Sequence, residues 1–151
     1  MLPIAVDAMG GDNAPHAIIA GARRASEENG IPVVLVGRPD EIGDTGGLPV
    51  IPASEVIAMD ADPGSSVRTM KDSSLVRAAE AVRDGDASAM ISAGNTGATM
   101  ASALLRTGRI KGVSRPAIAT PIPGPSGTPT VLLDAGANAE CKEEWLSLIH
   151  I

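Results

Sequence analysis

The stretch Leu2-Pro3-Ile4-Ala5-Val6-Asp7-Ala8-Met9-Gly10-Gly11-Asp12-Asn13 decides the fold. A short apolar run, Leu2–Val6, ends in Asp7 and gives way to small and polar residues. A helix is expected to begin near Pro15, a residue favoured in a first helical turn. Ile18, Ala22 and Ala25 recur at helical spacing, and Gly30 can close that helix. Pro32–Val36 (PVVLV) is rich in β-branched residues and reads as a buried strand stopped by Gly37. Strand, small-residue loop, helix, strand is the opening of a parallel α/β unit.

The rest of the chain repeats this alternation. Arg38–Gly47 reads as a loop or weak helix, and Leu48–Ile51 as a short strand. Ala53–Lys71 is less periodic and holds Pro63-Gly64, a turn signal. A strong helix is expected from Ser73 to Asp84. It has Leu75, Ala79 and Val82 on one face, Asp72 or Ser73 as cap and Gly85 as stop. Ala87–Ile91 reads as a strand and Ala98–Arg106 as a helix ending at Gly108. Ala117–Thr120 and Thr130–Leu133 read as further strands, joined through the Pro/Gly-rich Pro121–Pro129. A last helix is expected near Glu140, where Glu140, Glu143 and Glu144 suit the helix dipole. The predicted fold class is therefore α/β: a mostly parallel sheet with helices on both faces, a three-layer α/β/α sandwich.

Composition excludes several classes. The 151 residues carry a formal charge of −6, which argues against a nucleic-acid-coating surface. Hydrophobic residues make up 44%, too many for a disordered chain. No apolar run approaches the ~20 residues of a membrane span, and the N-terminus lacks signal-peptide character. The single Cys141 excludes an internal disulfide and a multi-cysteine zinc cluster. A reducing cytoplasm is the default compartment. Gly (17) and Pro (12) make up nearly a fifth of the chain, against roughly 12% in average proteins. With no Phe or Tyr and only Trp145, the core must be built from Ala, Val, Ile, Leu and Met.

Three loops share one design: Asp7–Asn13, Ser92–Gly97 and Asp134–Asn138 each follow an apolar strand and precede a helix. Parallel strands would place all three at one sheet edge, where α/β proteins bind ligands. Small residues admit a ligand to the backbone, and the amides of the next helix favour an anion. Ser92, Asn95 and Thr96 add side-chain donors. SAGNTG alone is a weak motif, since Gly-Asn is as often a plain turn. It matches neither the phosphate loop nor the dinucleotide fingerprint. Lys71-Asp72-Ser73-Ser74 has two readings, an anion clamp or a capped helix beside a solvated lysine. Arg68 and Arg77 read as surface cations. Asp7, Asp12 and Asp134 sit at strand ends, where Asp is also a common turn residue, and no paired metal-ligand spacing occurs. His16 and Cys141 read as an exposed histidine and an incidental thiol, and His150 has no role.

Six segments occur in a fixed order: VDAMGGDNAP (Val6–Pro15), ASEVIAMD (Ala53–Asp60), KDSS (Lys71–Ser74), SAGNTGA (Ser92–Ala98), GRIKGVSRPAIA (Gly108–Ala119) and LDAGAN (Leu133–Asn138). Together they resemble the N-terminal half of the bacterial phosphate acyltransferases, from about residue 3 to about residue 146. The resemblance implies transfer of a fatty acyl group from acyl-[acyl carrier protein] to inorganic phosphate, giving acyl phosphate for phospholipid synthesis. It implies a fold like that of phosphotransacetylases and isocitrate-dehydrogenase-type enzymes, a homodimer, no cofactor, and no metal. It also implies a cytoplasmic location, peripheral to the inner membrane face, and a downstream glycerol-3-phosphate acyltransferase as partner.

On this resemblance Asn95, Lys71 and Ser73 are the expected catalytic residues. Asp7, Gly10, Gly11, Asp12, Ser92, Gly94, Asn95, Thr96, Gly97, Asp134 and Asn138 are the expected substrate- and phosphate-binding set. Relatives are often more basic before Asp72, whereas Thr69 and Met70 are neutral, which weakens a basic clamp. Residues 1–146 read as the N-terminal part of one acyltransferase domain. Ser147–Ile151 departs from the family and reads like a translated sequencing adapter, a non-native tail. Two other readings stay open: a phosphotransacetylase-like enzyme using acyl-coenzyme A, and a non-catalytic anion-binding fragment.

Overall fold

The structure, a computed structural model, describes residues 1–113, 116–125, 127–134 and 143. The chain divides into two compact units, Met1–Gly108 and Arg109–Ile151.

In the first unit, β1 (Ile4–Asp7), β2 (Val33–Gly37), β3 (Val50–Pro52) and β4 (Ala89–Ile91) form one parallel sheet in the order β3-β2-β1-β4. Val6 pairs in register with Leu35 on one side and with Ile91 on the other. The period-2 alternation of these strands splits their side chains between two apolar layers. Val6, Val33 and Leu35 face Ile19 and Ala22 of α1 (His16–Asn29). Ala5, Val34 and Val36 face Ala78 and Ala81 of α4 (Ser74–Asp84). Alanines on α4 let the helix lie close to the sheet. Leu35 and Val36 are fully buried, each worth about 1.5–3 kcal/mol of apolar burial. A further cluster joins α3 (Pro63–Thr69), α4 and α5 (Thr96–Arg106) through Val67, Leu75, Val76 and Ala98. Helix, sheet and helix are the three layers that the alternation implied.

The helix punctuation follows local chemistry. Gly30 and Gly85 close α1 and α4 in the left-handed conformation, which glycine adopts without a Cβ clash. The short α2 (Pro39–Ile42) occupies the stretch read as loop or weak helix. Pro63-Gly64, expected as a turn, instead starts α3. Asp62 caps it by accepting from the Ser65 amide at 2.8 Å, and Pro63 takes a first-turn position that suits its fixed φ.

The second unit departs further from expectation. β5 (Ala119–Ile122) and β6 (Thr130–Leu133) form their own antiparallel pair, with Ala119 opposite Leu133 and Ile122 opposite Thr130. Residues 123–129 are too few for the crossover of a dozen or more residues that parallel strands need, so the chain turns back as a hairpin. The common sheet edge predicted for the three loops therefore holds, among the described residues, for those after β1 and β4. The helix expected near Glu140 lies outside the described residues except for Glu143.

Candidate functional site

The strand order singles out one stretch of the sheet edge. The chain builds outward from β1 to β2 to β3, then returns across β1 to place β4 on its other side. Neighbouring connections therefore diverge between β1 and β4. Open α/β sheets bind ligands in the gap left at the carboxyl ends of such strands.

Asp7 and Ser92 face each other across this switch point. Asp7 is buried at 3% exposure. Its carboxylate accepts from the Met9 amide at 3.2 Å and from the Ser92 hydroxyl at 2.7 Å. The Ser92 Oγ in turn accepts from the Gly94 amide at 3.0 Å. A serine hydroxyl has one proton, so that of Ser92 is committed to Asp7.

The glycines of the two loops are explained first by the loops themselves. A Cβ on Gly10 would lie 2.6 Å from Asp7 Oδ2, 2.7 Å from Ser92 Oγ and 2.9 Å from the Gly94 nitrogen. A Cβ on Gly94 would lie 3.2 Å from the Gly10 Cα. Gly11 has φ +108 and backs onto Ala93. Backbone meets backbone where the sequence suggested room for a ligand.

Asn95 caps α5. Its side chain accepts from the Ala98 amide at 3.0 Å and donates to the carbonyls of Met59 and Ala61, each at 3.0 Å. At 8% exposure it is a tether, holding segment 58–61 over the head of the helix. Pro63 continues that contact: a Cβ on Gly97 would meet its Cγ at 2.6 Å. Thr96 is exposed. Neither its amide nor that of Gly97 has an acceptor among the described residues, nor have the amides of Gly11 and Asp12. Unpaired first-turn amides carry the positive end of the helix dipole. They are what this end of the sheet offers an anion.

The second expected clamp is organised differently. Ser73 is fully buried and caps α4, its hydroxyl oxygen accepting from the Val76 amide at 3.4 Å. Lys71 is exposed and, among the described residues, has no ion-pair or hydrogen-bond partner. Asp72 accepts from the Ser54 amide at 3.0 Å, from the Ser54 hydroxyl, and from Arg77 Nε at 2.6 Å. The Ser54 hydroxyl, and then Arg77, hold its carboxyl below the usual range. Glu55 accepts from the Asp72 amide at 3.0 Å, and its carbonyl accepts from the Ser74 amide at 3.0 Å. Two motifs that looked independent, ASEVIAMD and KDSS, are thus one interlocked element. Nothing in the spacing of residues 54 and 72 announces that contact.

Asp12 lies exposed beside Gly11. Asp134 stands at the end of β6 in the second unit, with φ 58, a conformation Asp tolerates. Asn138 lies outside the described residues. Among the described residues there is no cluster of three or more metal-ligating side chains, and no helix is long and apolar enough to cross a membrane.

Residues 2–148 match the family described as "Fatty acid synthesis protein". Relatives named phosphate acyltransferase are about half identical to the chain over the aligned residues. The one from Pelotomaculum thermopropionicum is 50% identical over 93% of the chain and 43% of its own length. Those from a Nostoc species and from Leptospira biflexa are each 48% identical, over 95% and 98% of the chain and 44% and 46% of their own lengths. The chain thus spans less than half the length of these curated relatives. With the parallel sheet, the β1/β4 switch point and a match over nearly its whole length, the chain belongs to the fatty acid synthesis protein family.

Proposed function

We propose that the full-length protein transfers a fatty acyl group from the thioester of acyl-[acyl carrier protein] to inorganic phosphate, forming acyl phosphate for phospholipid synthesis. One observation carries the placement of the phosphate: the unpaired amides of Thr96 and Gly97 at the switch point between β1 and β4. The names of the relatives support the reaction class.

A phosphate oxygen attacks the thioester carbonyl, and a C–O bond forms while the carbonyl becomes an oxyanion. The intermediate collapses with loss of the C–S bond, and the thiolate leaves and takes up a proton. Catalysis in this scheme is positioning plus preorganised donors. The Thr96 and Gly97 amides, the Thr96 hydroxyl and the Gly11 and Asp12 amides serve as the donor set. Lys71 supplies a mobile positive charge. Asn95 acts by fixing the head of α5, Ser73 by capping α4, and Asp7 with Ser92, Gly10 and Gly94 by fixing the two loops against each other. The resemblance also assigns Asp134 and Asn138 to substrate binding, and they enter no step of this scheme.

The test is a donor comparison with full-length enzyme, trapping acyl phosphate as the hydroxamate. Phosphate-dependent product from acyl-[acyl carrier protein], with a raised phosphate KM for Thr96→Ala, is expected. Phosphate-dependent product from acyl-coenzyme A alone transfers the assignment to the phosphotransacetylase reading. No phosphate-dependent product from either donor removes the acyltransferase reading.

A further inference from the structure

Apart from the mobile Lys71, the donor set at the switch point carries no full positive charge. It consists of the Thr96, Gly97, Gly11 and Asp12 amides and the Thr96 hydroxyl, and a helix terminus contributes roughly half an elementary charge. One of these amides belongs to an aspartate. Asp12 is exposed, and among the described residues its carboxylate has no hydrogen-bond or ion-pair partner. Asp7, in the same loop, is already held by the Met9 amide and the Ser92 hydroxyl. The Asp12 loop is locked against the one that leads into α5: a Cβ on Gly11 would lie 3.1 Å from the Ala93 carbonyl oxygen, and one on Gly10 would lie 2.9 Å from the Gly94 nitrogen. An aspartate carboxylate lies about 3–4 Å from its own amide nitrogen by covalent geometry. An oxygen bound by that amide lies about 2.9 Å from the same nitrogen. An anion held there therefore meets the Asp12 carboxylate.

We propose that Asp12 sets the specificity of this site: its carboxylate accepts the proton of hydrogen phosphate, so that the site takes a protonated oxyanion in preference to sulfate. The inference rests on the phosphate placement proposed above. Two anionic oxygens side by side repel, and a proton between them turns the contact into a charge-assisted hydrogen bond. At neutral pH hydrogen phosphate carries that proton. Sulfate has the same tetrahedral shape and the same charge, and carries none. Half a charge at the helix terminus does not offset the full charge of Asp12, so an anion without a proton to offer is rejected. The same contact orients the nucleophile. The proton-bearing oxygen turns toward Asp12, and the unprotonated oxygens are left to the amides and to the thioester carbon. The oxygen that attacks then has no proton to lose.

The test is a titration of the isotope-labelled chain with inorganic phosphate and with sulfate, at neutral pH and equal ionic strength, read at the Thr96 and Gly97 amides. Phosphate is expected to bind about tenfold more tightly than sulfate. D12N replaces an acceptor-only carboxylate with an amide that also donates. It is expected to tighten sulfate about tenfold and to loosen phosphate, so that the preference closes. A gain in sulfate affinity is one that misfolding cannot imitate. D60N removes a charge from the exposed part of segment 58–61, and is expected to move both anions alike and keep the preference. Sulfate bound as tightly as phosphate, an unchanged ratio in D12N, or a ratio closed as far by D60N overturns the role of Asp12. Saturable phosphate shifts at Thr96 and Gly97 would in that case leave the phosphate placement standing. No saturable shift with either anion overturns both.

Discussion

The carboxylate of Asp7, at the end of the first strand, accepts a hydrogen bond from the hydroxyl of Ser92, just past the fourth, at 2.7 Å. The two residues are 85 positions apart in sequence. Their bond joins the two loops at the one place where the sheet reverses its build direction. Asp7→Asn and Ser92→Ala should therefore be non-additive. A double-mutant cycle read by denaturant unfolding should give a coupling of about 0.5–3 kcal/mol. Additive effects would mean that the loops are held apart from this bond.

The loop glycines separate packing from flexibility. Gly10→Ala places a methyl within 2.6 Å of Asp7 Oδ2 and should cost about 1–3 kcal/mol as overpacking. Gly21→Ala, in the body of α1 with nothing within 4 Å of the new Cβ, should stabilise by about 0.5–1 kcal/mol. Thermal melts of the two variants should move in opposite directions.

Asn95 divides into a cap and a tether. Asn95→Asp keeps an oxygen for the Ala98 amide but loses the donors to Met59 and Ala61. Amide exchange should then rise in segment 58–61 while the first turn of α5 stays protected. Asn95→Ala should lose both, at about 1–2 kcal/mol for the cap alone, with a raised phosphate KM in the full-length enzyme. An unchanged phosphate dependence would separate this loop from phosphate.

Asp72 supplies the pH dependence. Its folded-state carboxyl is held below its ordinary value of 3.8, first by the Ser54 hydroxyl and then by Arg77. A depressed carboxylate contributes stability that is present above the unfolded value and lost as pH falls through the folded one. Wild type and Asp72→Asn should differ in Tm at pH 6, and the difference should shrink below about pH 4. A difference that is constant from pH 6 to pH 3 would assign the effect to shape instead of charge.

The β1–α1–β2 unit was legible because strand and helix periods, Pro15 and Gly30 all point the same way. So was α4, with Ser73 and Gly85 at its ends. The start of α3 was hidden because Pro-Gly serves turns and helix first turns alike, and only Asp62 and Ser65 distinguish the two. The β5–β6 pairing turned on the length of the connection, which the strand pattern does not encode. At the switch point, the sequence marked two loops that the structure brings against each other, but gave their small residues to a ligand. The structure uses Gly10, Gly94 and Gly97 for contacts with Ser92, Gly10 and Pro63. Long-range pairs such as Asp7 with Ser92, or Ser54 with Asp72, leave no periodic trace in one sequence.

Phosphate is proposed to sit at the free amides at the head of α5. The direct measurement is a titration of the labelled chain with inorganic phosphate, followed at the amide signals of Thr96 and Gly97. Saturable shifts at these two amides, weakened by Thr96→Ala and absent with chloride at equal ionic strength, are the predicted result. Shifts that never saturate, or that saturate elsewhere while Thr96 and Gly97 stay still, would rule out phosphate binding at the head of α5.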